Sequence, residues 1–228
     1  MTDIENNEDI FLNIFKTKNK KIDKEFIFFD VGAHIGQSAI RFKKKFQNCT
    51  IHCFEPYEKS FLKLNENTKK QSNIHYNNIA LGKEEKIEKL YINEKTETSS
   101  FFKLNKNYSE IDKTKNINTK LCKVRKLDNY VVENNIKKID YLKIDVQGEE
   151  YSVLTGSEET LKLNKISFIE IEIILNDYYS TGGNNLLKVL TYLEKFNFRL
   201  LNLTNMDFDN DNCLKWFDLL FVSNETHP

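Results

Sequence analysis

One stretch constrains the fold of this chain more than any other: an apolar run that ends in an acid and two glycines. It is Phe26–Gly36, with the sequence FIFFDVGAHIG. The four residues before Asp30 are apolar and three of them are aromatic, which is typical of a strand buried on both faces of a parallel sheet. Gly32 and Gly36 then permit a tight turn and a close approach of the backbone to a ligand. The stretch therefore predicts a buried strand that leads into a ligand-binding turn.

The residues that follow predict the helix of a nucleotide-type site. Apolar side chains recur at helical spacing within residues 37–46, and strand, glycine turn and helix form the entry unit of doubly wound nucleotide-binding folds. A dinucleotide fingerprint reads G-x-G-x-x-G, and its middle glycine makes room for a pyrophosphate. His34 stands at that position, so its ring disfavours a dinucleotide. The G-x-x-x-G turn after an acid instead resembles the first motif of S-adenosylmethionine (SAM) methyltransferases, whose ligand has no phosphate.

The second predicted strand also ends in an acid. Residues 50–54 read TIHCF, and Glu55 and Pro56 follow them. Proline stops strand pairing and suits the first turn of the helix predicted over residues 57–69. Doubly wound nucleotide folds place at the end of this strand a carboxylate that accepts hydrogen bonds from the ribose hydroxyls. Glu55 is the candidate for that role, and a helix-capping or solvated glutamate is the alternative.

The remaining pattern alternates strands with helices. Strands are predicted over residues 73–82, 86–92, 120–127, 139–145, 165–174, 198–203 and 216–222, and helices over 128–133, 149–163 and 184–196. Leu121 is predicted to face inward. This alternation predicts a mainly parallel, doubly wound α/β sheet, in which ligands bind at the carboxyl ends of strands. Asp30, Glu55 and Asp145 all fall at such ends, so they are predicted to lie near one another.

The composition limits which binding partners and which cellular location we expect for this chain. Lys plus Arg and Asp plus Glu both number 34, so no global basic field favours nucleic acid or an anionic membrane. The first residues are acidic where a signal peptide is basic, and no apolar run approaches the ~20 residues of a membrane span. The four cysteines show no metal or redox spacing, which favours a cytoplasmic protein with reduced thiols. We expect a helical extension over residues 1–25 and one domain over residues 26–228.

Several motifs in the same order resemble the FkbM family of SAM-dependent methyltransferases over residues 26–222. They are DVGAHIG at 30–36, FEP at 54–56, NIALG at 78–82, SS at 99–100, KLD at 126–128, LKIDVQGE at 142–149 and VLTG at 153–156. The resemblance implies a class I fold whose last strand is antiparallel, with SAM as the methyl donor. It also implies O-methylation of a hydroxyl, often on a sugar or a polyketide-type product. His34 and Gln147 depart from the family, which commonly has Asn and Glu there.

The resemblance also implies which residues hold SAM. Gly32 to Gly36 would approach the methionine end, Glu55 the ribose and residues 78–81 the adenine, with Asp145 beside the reacting centre. The full set of implied SAM-binding residues is Asp30, Gly32, His34, Gly36, Gln37, Ser38, Glu55, Pro56, Asn78, Ala80 and Asp145.

The residue types themselves suggest the candidates for acceptor contacts, which are Ser99, Ser100, Glu170, Glu172 and Tyr178. The two serine hydroxyls could bond a polar acceptor, and an ordinary Ser/Thr turn is the alternative. Tyr178 and its neighbour Tyr179 could stack on a sugar face, and surface tyrosines are the alternative.

Methyl transfer to an alkyl hydroxyl needs alignment and a base or a metal, because the hydroxyl is a poor acid. Asp145 is the first candidate for base or acceptor anchor. His34 is the second, since a neutral imidazole is a competent base, and a purely structural turn residue is the alternative. Glu170 and Glu172 share a strand face and could hold Mg²⁺ or Mn²⁺ with Asp145, or order a loop instead. A metal is possible on this pattern, but it is not our expectation.

The sequence therefore predicts a SAM-dependent O-methyltransferase that acts on a hydroxyl of a sugar or glycoconjugate. One alternative is a SAM- or nucleotide-binding module, or a partner subunit, that does not turn over. Another is methylation of a small molecule that is not a carbohydrate. Nucleic acid is not expected as a partner, because the net charge is zero.

Overall fold

The computed structural model describes residues 6–18, 26–105, 114–175, 179 and 186–226. Its helices are α1 (Asn7–Lys18), α2 (Gln37–Lys45), α3 (Glu58–Thr68), α4 (Leu127–Glu133), α5 (Glu150–Thr155), α6 (Glu158–Lys162) and α7 (Leu186–Glu194). Its strands are β1 (Ile27–Val31), β2 (Thr50–Phe54), β3 (Ile74–Asn77), β4 (Ala80–Leu81), β5 (Lys86–Asn93), β6 (Asn116–Arg125), β7 (Ile139–Ile144), β8 (Ile166–Ile174), β9 (Phe198–Phe208) and β10 (Leu214–Ser223).

The main sheet has seven strands in the order β3-β2-β1-β7-β8-β10-β9. All pairs from β3 to β8 are parallel, whereas β10 runs antiparallel to both β8 and β9. The chain order reverses between β1 and β7, and ligands bind at such a switch point in doubly wound sheets. The prediction of a mainly parallel, doubly wound α/β sheet with an antiparallel last strand is confirmed.

A second sheet was not predicted. It has three strands in the order β4-β6-β5, and the single strand expected over residues 73–82 supplies one strand to each sheet. The break lies after Asn77, and the side chain of Asn78 donates to the backbone oxygen of Glu55 at 2.8 Å. Leu121 of β6 is 72% exposed, so its predicted inward direction is wrong. Cys122 and Val124 face the core instead, because neighbouring side chains on a strand point to opposite faces.

Alternation along the strands also divides the core of the main sheet in two. Phe29 and Val31 of β1 pack into one cluster, and Phe28 packs into the other. The second cluster lies under α1, whose Phe11 ring is 5.0 Å from Tyr141 and fully buried. The described part of the N-terminal segment therefore packs on the sheet face that carries Phe28. Among the described residues no helix has the length and apolarity that would let it cross a membrane.

The helix predicted over residues 149–163 is two short helices. Gly156 ends α5, and a Cβ at this residue would lie 2.0 Å from the backbone oxygen of Gly82, so the close contact excludes any larger side chain. The amino terminus of the next helix, α6, is capped by a carboxylate from elsewhere in the chain. Asp128 accepts from the backbone N–H groups of Glu159 at 3.1 Å and Thr160 at 2.8 Å, which satisfies amides that have no partner within the helix.

Candidate active site

A cavity of about 670 Å³ opens at the carboxyl ends of β1, β2, β7 and β8. Clefts of this size are typical of small-molecule sites. Its wall includes twelve of the residues predicted for the site: Gly32, His34, Gln37, Ser38, Glu55, Pro56, Ala80, Ser99, Ser100, Asp145, Glu170 and Glu172. Asp30, Gly36 and Asn78 are not on the wall, and Tyr178 lies outside the described residues. The cavity therefore brings most of the predicted residues together.

The glycine turn packs directly against the segment that follows β7. Gly32 has φ +87°, and a Cβ there would lie 1.8 Å from the backbone oxygen of Asp145. The N–H groups of Gly32 and Ala33 both donate to the oxygen of Phe54 at 3.0 Å. These contacts fix the turn between β2 and β7. Only glycine fits at residue 32, because a side chain would push the turn away from Asp145.

Gly36 and Asn78 support the site from behind the wall. Gly36 has φ +92° and precedes α2, and a Cβ there would lie 2.8 Å from the Leu64 side chain of α3. Asn78 donates to the backbone oxygens of Glu55 at 2.8 Å and Pro56 at 3.2 Å. Both residues therefore shape the two turns that line the cavity.

Glu55 links the two turns through its carboxylate. One oxygen accepts from the backbone N–H of His34 at 2.9 Å and the other from that of Tyr57 at 2.8 Å. Burial is the largest influence and raises the pKa of Glu55 to about 7, although both backbone hydrogen bonds oppose the rise. A carboxylate oxygen has a second lone pair, so each oxygen can still accept from a ligand hydroxyl.

His34 has φ +47° and makes contacts on two sides of the cavity. Its backbone N–H reaches Glu55, and its Nε2 lies 2.8 Å from the Thr96 hydroxyl. Burial lowers the pKa of His34, so the ring is neutral at pH 7. These contacts give His34 a structural role in the turn, and a neutral ring also keeps the base hypothesis chemically possible.

On the sheet face that carries the aromatic side chains, the residues nearer the cavity are ionisable. Asp30, Lys143 and Glu170 are neighbours in register across β1, β7 and β8. Asp30 is fully buried, and among the described residues neither of its carboxylate oxygens has a hydrogen-bond partner. Burial raises the pKa of Asp30 to about 6, with Lys143 opposing the rise. Asp30 therefore lies beneath the cavity, where it acts on Lys143 and Asp145 through its charge.

Lys143 and Asp145 form an ion pair at the centre of the site. The Lys143 Nζ donates to the Asp145 Oδ2 at 2.8 Å. Burial favours the neutral form of Asp145, but the Lys143 ammonium and the hydrogen bonds of the carboxylate outweigh it and lower the pKa of Asp145. Burial likewise opposes the charge of Lys143, yet Asp145 and the nearby acids hold the pKa of Lys143 above its usual value. Asp145 is thus ionised at neutral pH.

Glu172 is the second carboxyl group beside Asp145, and its environment favours the neutral form. Burial, followed by the charge of Asp145, raises the pKa of Glu172 well above its usual range. Gln147 lies between the two carboxyl groups, and its Nε2 donates to Asp145 at 3.1 Å and to Glu172 at 2.5 Å. The pair therefore consists of one carboxyl group with a lowered pKa and one with a raised pKa, and the two share an amide donor.

Two further acids lie on the part of the wall formed by β8 and β10. Glu170 accepts a short hydrogen bond from the Tyr141 hydroxyl, and burial raises the pKa of Glu170 to about 7. Asp218 accepts from the Asn205 amide at 2.6 Å, and burial raises its pKa as well. Trp216 and Ile174 supply apolar surface beside them. We call the wall formed by Glu170, Glu172, Trp216 and Asp218 the acid wall.

A divalent metal was a possibility for Asp145, Glu170 and Glu172. Each of them accepts a hydrogen bond from another side chain, from Lys143 and Gln147, from Tyr141 and from Gln147 respectively. Within the described part of the chain, no group of three or more His, Cys, Asp or Glu side chains is arranged to hold a metal ion. The structure therefore gives no support to the metal.

Residues 96–102, here called the strap, run along one side of the cavity, and residues 96–101 lie on its wall. Ser100 is 1% exposed, and its hydroxyl donates to the Gln147 backbone oxygen at 2.6 Å. The Ser99 hydroxyl accepts from the Asn93 N–H at 3.2 Å. The hydroxyls of Ser99 and Ser100, which are predicted to contact the acceptor, therefore also hold the strap in place.

The sequence pattern did not single out Lys143, Trp216 or Asp218 for the site. Lys143 carried a usable signal, because it lies two residues before Asp145 and so faces the same side of β7. Trp216 and Asp218 also carried a signal, because the amino-terminal half of an antiparallel last strand lies beside the carboxyl ends of the parallel strands. Tyr179, proposed for stacking on a sugar face, is 3% exposed and donates to the Gln147 Oε1 at 2.9 Å.

Comparison with protein families identifies the chain. The model of the methyltransferase FkbM domain matches residues 30–200. The chain belongs to the FkbM methyltransferase family. Its activity is therefore of the SAM-dependent methyltransferase class. Comparison with the sequences of curated proteins gives no match.

Solved structures support the fold of this FkbM domain. An rRNA methylase from Streptococcus thermophilus is similar at a TM-score of 0.52 and 11% identity, over 96% of this chain and 98% of that chain. The fibrillarin pre-rRNA processing protein of Methanococcus jannaschii is similar at a TM-score of 0.50 and 12% identity, over 89% and 68% of the two chains. At such low identity these similarities show a shared fold. They do not test the prediction that this chain has no nucleic-acid partner.

The cavity fits the cofactor of the FkbM family. Gly32 lies on the cavity wall, where the glycine turn packs against the Asp145 backbone, and the Glu55 carboxylate offers acceptors for a ribose. A pyrophosphate would require a glycine at residue 34, where this chain has histidine. The donor and acceptor groups of the wall therefore suit SAM better than a dinucleotide.

Proposed function

We propose that this FkbM-family chain transfers a methyl group from SAM to a hydroxyl of a sugar or glycoconjugate. One observation carries the proposal: a single cavity joins the glycine turn and Glu55 to Asp145 and the acid wall. The first half suits a nucleoside with an amino-acid end. The second half has the chemistry of a site for a polyhydroxylated acceptor.

On the cofactor side we assign Gly32, His34, Gln37, Ser38, Glu55, Pro56 and Ala80 to SAM, with Asp30, Gly36 and Asn78 in support. When bound, SAM supplies a methyl group on a sulfonium centre. The chain's part is to align the acceptor and exclude water, and alignment of this kind supplies much of the rate of a displacement. The rigid contact between Gly32 and the Asp145 backbone holds the two halves of the cavity in register.

On the acceptor side the carboxyl groups of the acid wall accept from hydroxyls, and the Trp216 ring offers an apolar face. Four cations lie on the cavity wall. Three are paired with acids, Lys143 with Asp145 at 2.8 Å, Arg41 with Glu8 at 2.9 Å and Lys215 with Asp207 at 3.1 Å, and the fourth is Lys95. An uncharged sugar fits this wall better than a phosphate or a nucleic acid, which would add negative charge beside its acids.

Asp145 is the residue that we assign to the acceptor hydroxyl. It is ionised at neutral pH, and of the about four lone-pair sites of a carboxylate the bonds from Lys143, Gln147 and Glu172 leave one for the hydroxyl. Its carboxylate can orient the hydroxyl and take the proton as the oxygen attacks the methyl group. His34 is the second candidate for the base.

The test is a labelled-methyl screen. Purified protein is incubated with tritiated SAM and neutral methyl glycosides, and methyl incorporation is measured for wild type, Asp145→Asn and Asp207→Asn. We expect incorporation that falls about 100-fold or more in Asp145→Asn. Asp207→Asn, which also alters an acid of the cavity wall, is the matched control and should stay within a few-fold of wild type.

Two outcomes would count against this function. If Asp145→Asn keeps wild-type rates, the assignment of the base is wrong. If SAM binds but no glycoside is methylated, the result favours a SAM-binding module without turnover, or an acceptor that is not a carbohydrate.

A further inference from the structure

Gln147 occupies an unusual backbone conformation between the strand and the next helix. Its φ is +57°, a region that residues other than glycine rarely adopt. Gly148 follows with φ +107°, and a Cβ at Gly148 would lie 3.2 Å from the Phe102 ring of the strap. Backbone strain of this kind persists where the surroundings hold a residue in place. Here the turn directs the Gln147 side chain between Asp145 and Glu172.

The Gln147 side chain uses both ends of its amide. Its Nε2 donates to Asp145 at 3.1 Å and to Glu172 at 2.5 Å. Its Oε1 accepts from the Tyr179 hydroxyl at 2.9 Å, and that hydroxyl also lies 3.0 Å from the Thr98 backbone oxygen. One amide therefore connects the carboxyl pair to a tyrosine that contacts the strap.

The Gln147 backbone makes a second link to the strap. Its oxygen accepts from the Ser100 hydroxyl at 2.6 Å, and Ser100 is in turn paired with Tyr91 of β5 through two backbone hydrogen bonds. The strap is thus bonded to Gln147 through both main chain and side chain. Movement of Gln147 would disturb the carboxyl pair and the strap together.

An amide has properties here that no other side chain of similar size combines. It donates two hydrogens without carrying a charge, so it bonds both carboxyl groups without competing with Lys143 for the negative charge. A glutamate would place a third acid beside the pair, and an aliphatic side chain would leave both carboxyl groups without a donor. The same amide oxygen remains available to Tyr179.

We propose that Gln147 is a positioning residue: it fixes the Asp145–Glu172 pair for the acceptor hydroxyl and couples that pair to the strap. The role in the reaction rests on the proposed function. The two physical effects, on the carboxyl groups and on the strap, are measurable without any acceptor.

The experiment compares Gln147→Leu, Gln147→Glu and Tyr179→Phe in the full chain saturated with S-adenosylhomocysteine. Carbon-13 NMR of the side-chain carboxyl groups follows the titration of Asp145, and hydrogen exchange follows the strap amides. Gln147→Leu should raise the Asp145 midpoint by about one pH unit, because the charged carboxylate loses a donor. Gln147→Glu should raise it at least as far, since the added acid would lie against Asp145 and Glu172, where Asp218 and Glu150 also act and Lys143 is the cation that opposes them.

The variants separate the two effects. Tyr179→Phe spares the Lys143 and Gln147 donors to Asp145, so the Asp145 midpoint should stay within roughly 0.3 pH units of wild type. The same variant should speed hydrogen exchange of the strap amides several-fold. With the acceptor that the glycoside screen finds best, Gln147→Leu should lower kcat about tenfold or more and change KM little.

An Asp145 midpoint unchanged in both Gln147 variants would overturn the positioning of the carboxyl pair. Strap exchange unchanged in both Gln147→Leu and Tyr179→Phe would overturn the coupling. If Gln147→Leu does not fold, Gln147→Glu and Tyr179→Phe still decide each part. If wild type methylates no glycoside, the proposed function fails while the NMR and exchange results still decide the role of Gln147.

Discussion

The pH dependence of SAM binding tests the role of Glu55 most sharply. In the ligand-free structure its pKa is raised to about 7 by burial. An ionised carboxylate accepts ribose hydroxyls on both oxygens, whereas a protonated one has lost part of that capacity. We therefore expect SAM to bind the ionised form, so that binding strengthens as pH rises through 7.

The expected magnitude follows from that pKa. If only the ionised form binds, the apparent Kd is the intrinsic Kd multiplied by one plus the ratio of protonated to ionised Glu55. That factor is about 11 at pH 6 and about 1.1 at pH 8 for a pKa of about 7. The Kd for SAM should thus fall about tenfold between these pH values, or about 1.4 kcal/mol.

Titration calorimetry at pH 6, 7 and 8 measures the effect. Glu55→Gln should bind SAM at least about tenfold more weakly at pH 8, because the charge-assisted hydrogen bonds are lost, and should show no pH dependence. Glu170→Gln is the matched control, since the pKa of Glu170 is also raised to about 7 within the same cavity, and it should keep the tenfold change. The reasoning would be refuted if Glu55→Gln titrates like wild type or if Glu170→Gln abolishes the pH dependence.

Three further predictions concern stability. Gly32→Ala should lower the melting temperature and remove SAM binding, because the new Cβ would lie 1.8 Å from the Asp145 oxygen; a variant with normal melting and affinity would contradict the close contact. Phe11→Ala should cost about 3–5 kcal/mol in urea denaturation, since its ring is fully buried among aromatic side chains, and a loss below about 1 kcal/mol would show that α1 does not pack there. Burial lowers the pKa of His52 to about 4, below its unfolded value, so the stability that His52 contributes is present above about pH 6.5 and is lost as pH falls towards 4. His52→Phe should therefore lose less stability in acid than wild type does. Urea midpoints of both proteins at about pH 4.5 and 7.5 measure the difference.

The framework of the site could be predicted because strand-ending acids have a fixed place in a parallel sheet. Glu55 and Asp145 both line the cavity, as the carboxyl-end rule requires. Asp30 ends its strand in the same way but lies beneath the wall, in register with Lys143. Strand position alone therefore does not decide whether a carboxylate faces a ligand or the interior.

The elements that escaped prediction depend on contacts between distant parts of the chain. The two helices in place of residues 149–163 are separated by the contact of Gly156 with Gly82, and the second is capped by Asp128. No local sequence pattern predicts either contact. The second sheet has the same origin, because β4 is only two residues long and pairs with β6 more than forty residues later.

The network around Gln147 shows the same limit at the level of side chains. The sequence marked Gln147 as a departure from the FkbM pattern, but its partners come from β8 and from Tyr179. The alternation of β8 places Glu170 and Glu172 on one face, as predicted, yet does not give their partners. To identify those partners one needs the order of the strands, in which β8 lies between β7 and β10.

The central claim is that the cavity between the glycine turn, Glu55 and Asp145 binds SAM. Calorimetric titration of the full chain with SAM, S-adenosylhomocysteine and NAD⁺ at pH 8 tests it directly. We predict one-to-one binding of both sulfur ligands and no measurable binding of NAD⁺. Binding of NAD⁺, or failure of both sulfur ligands to bind, would contradict the account.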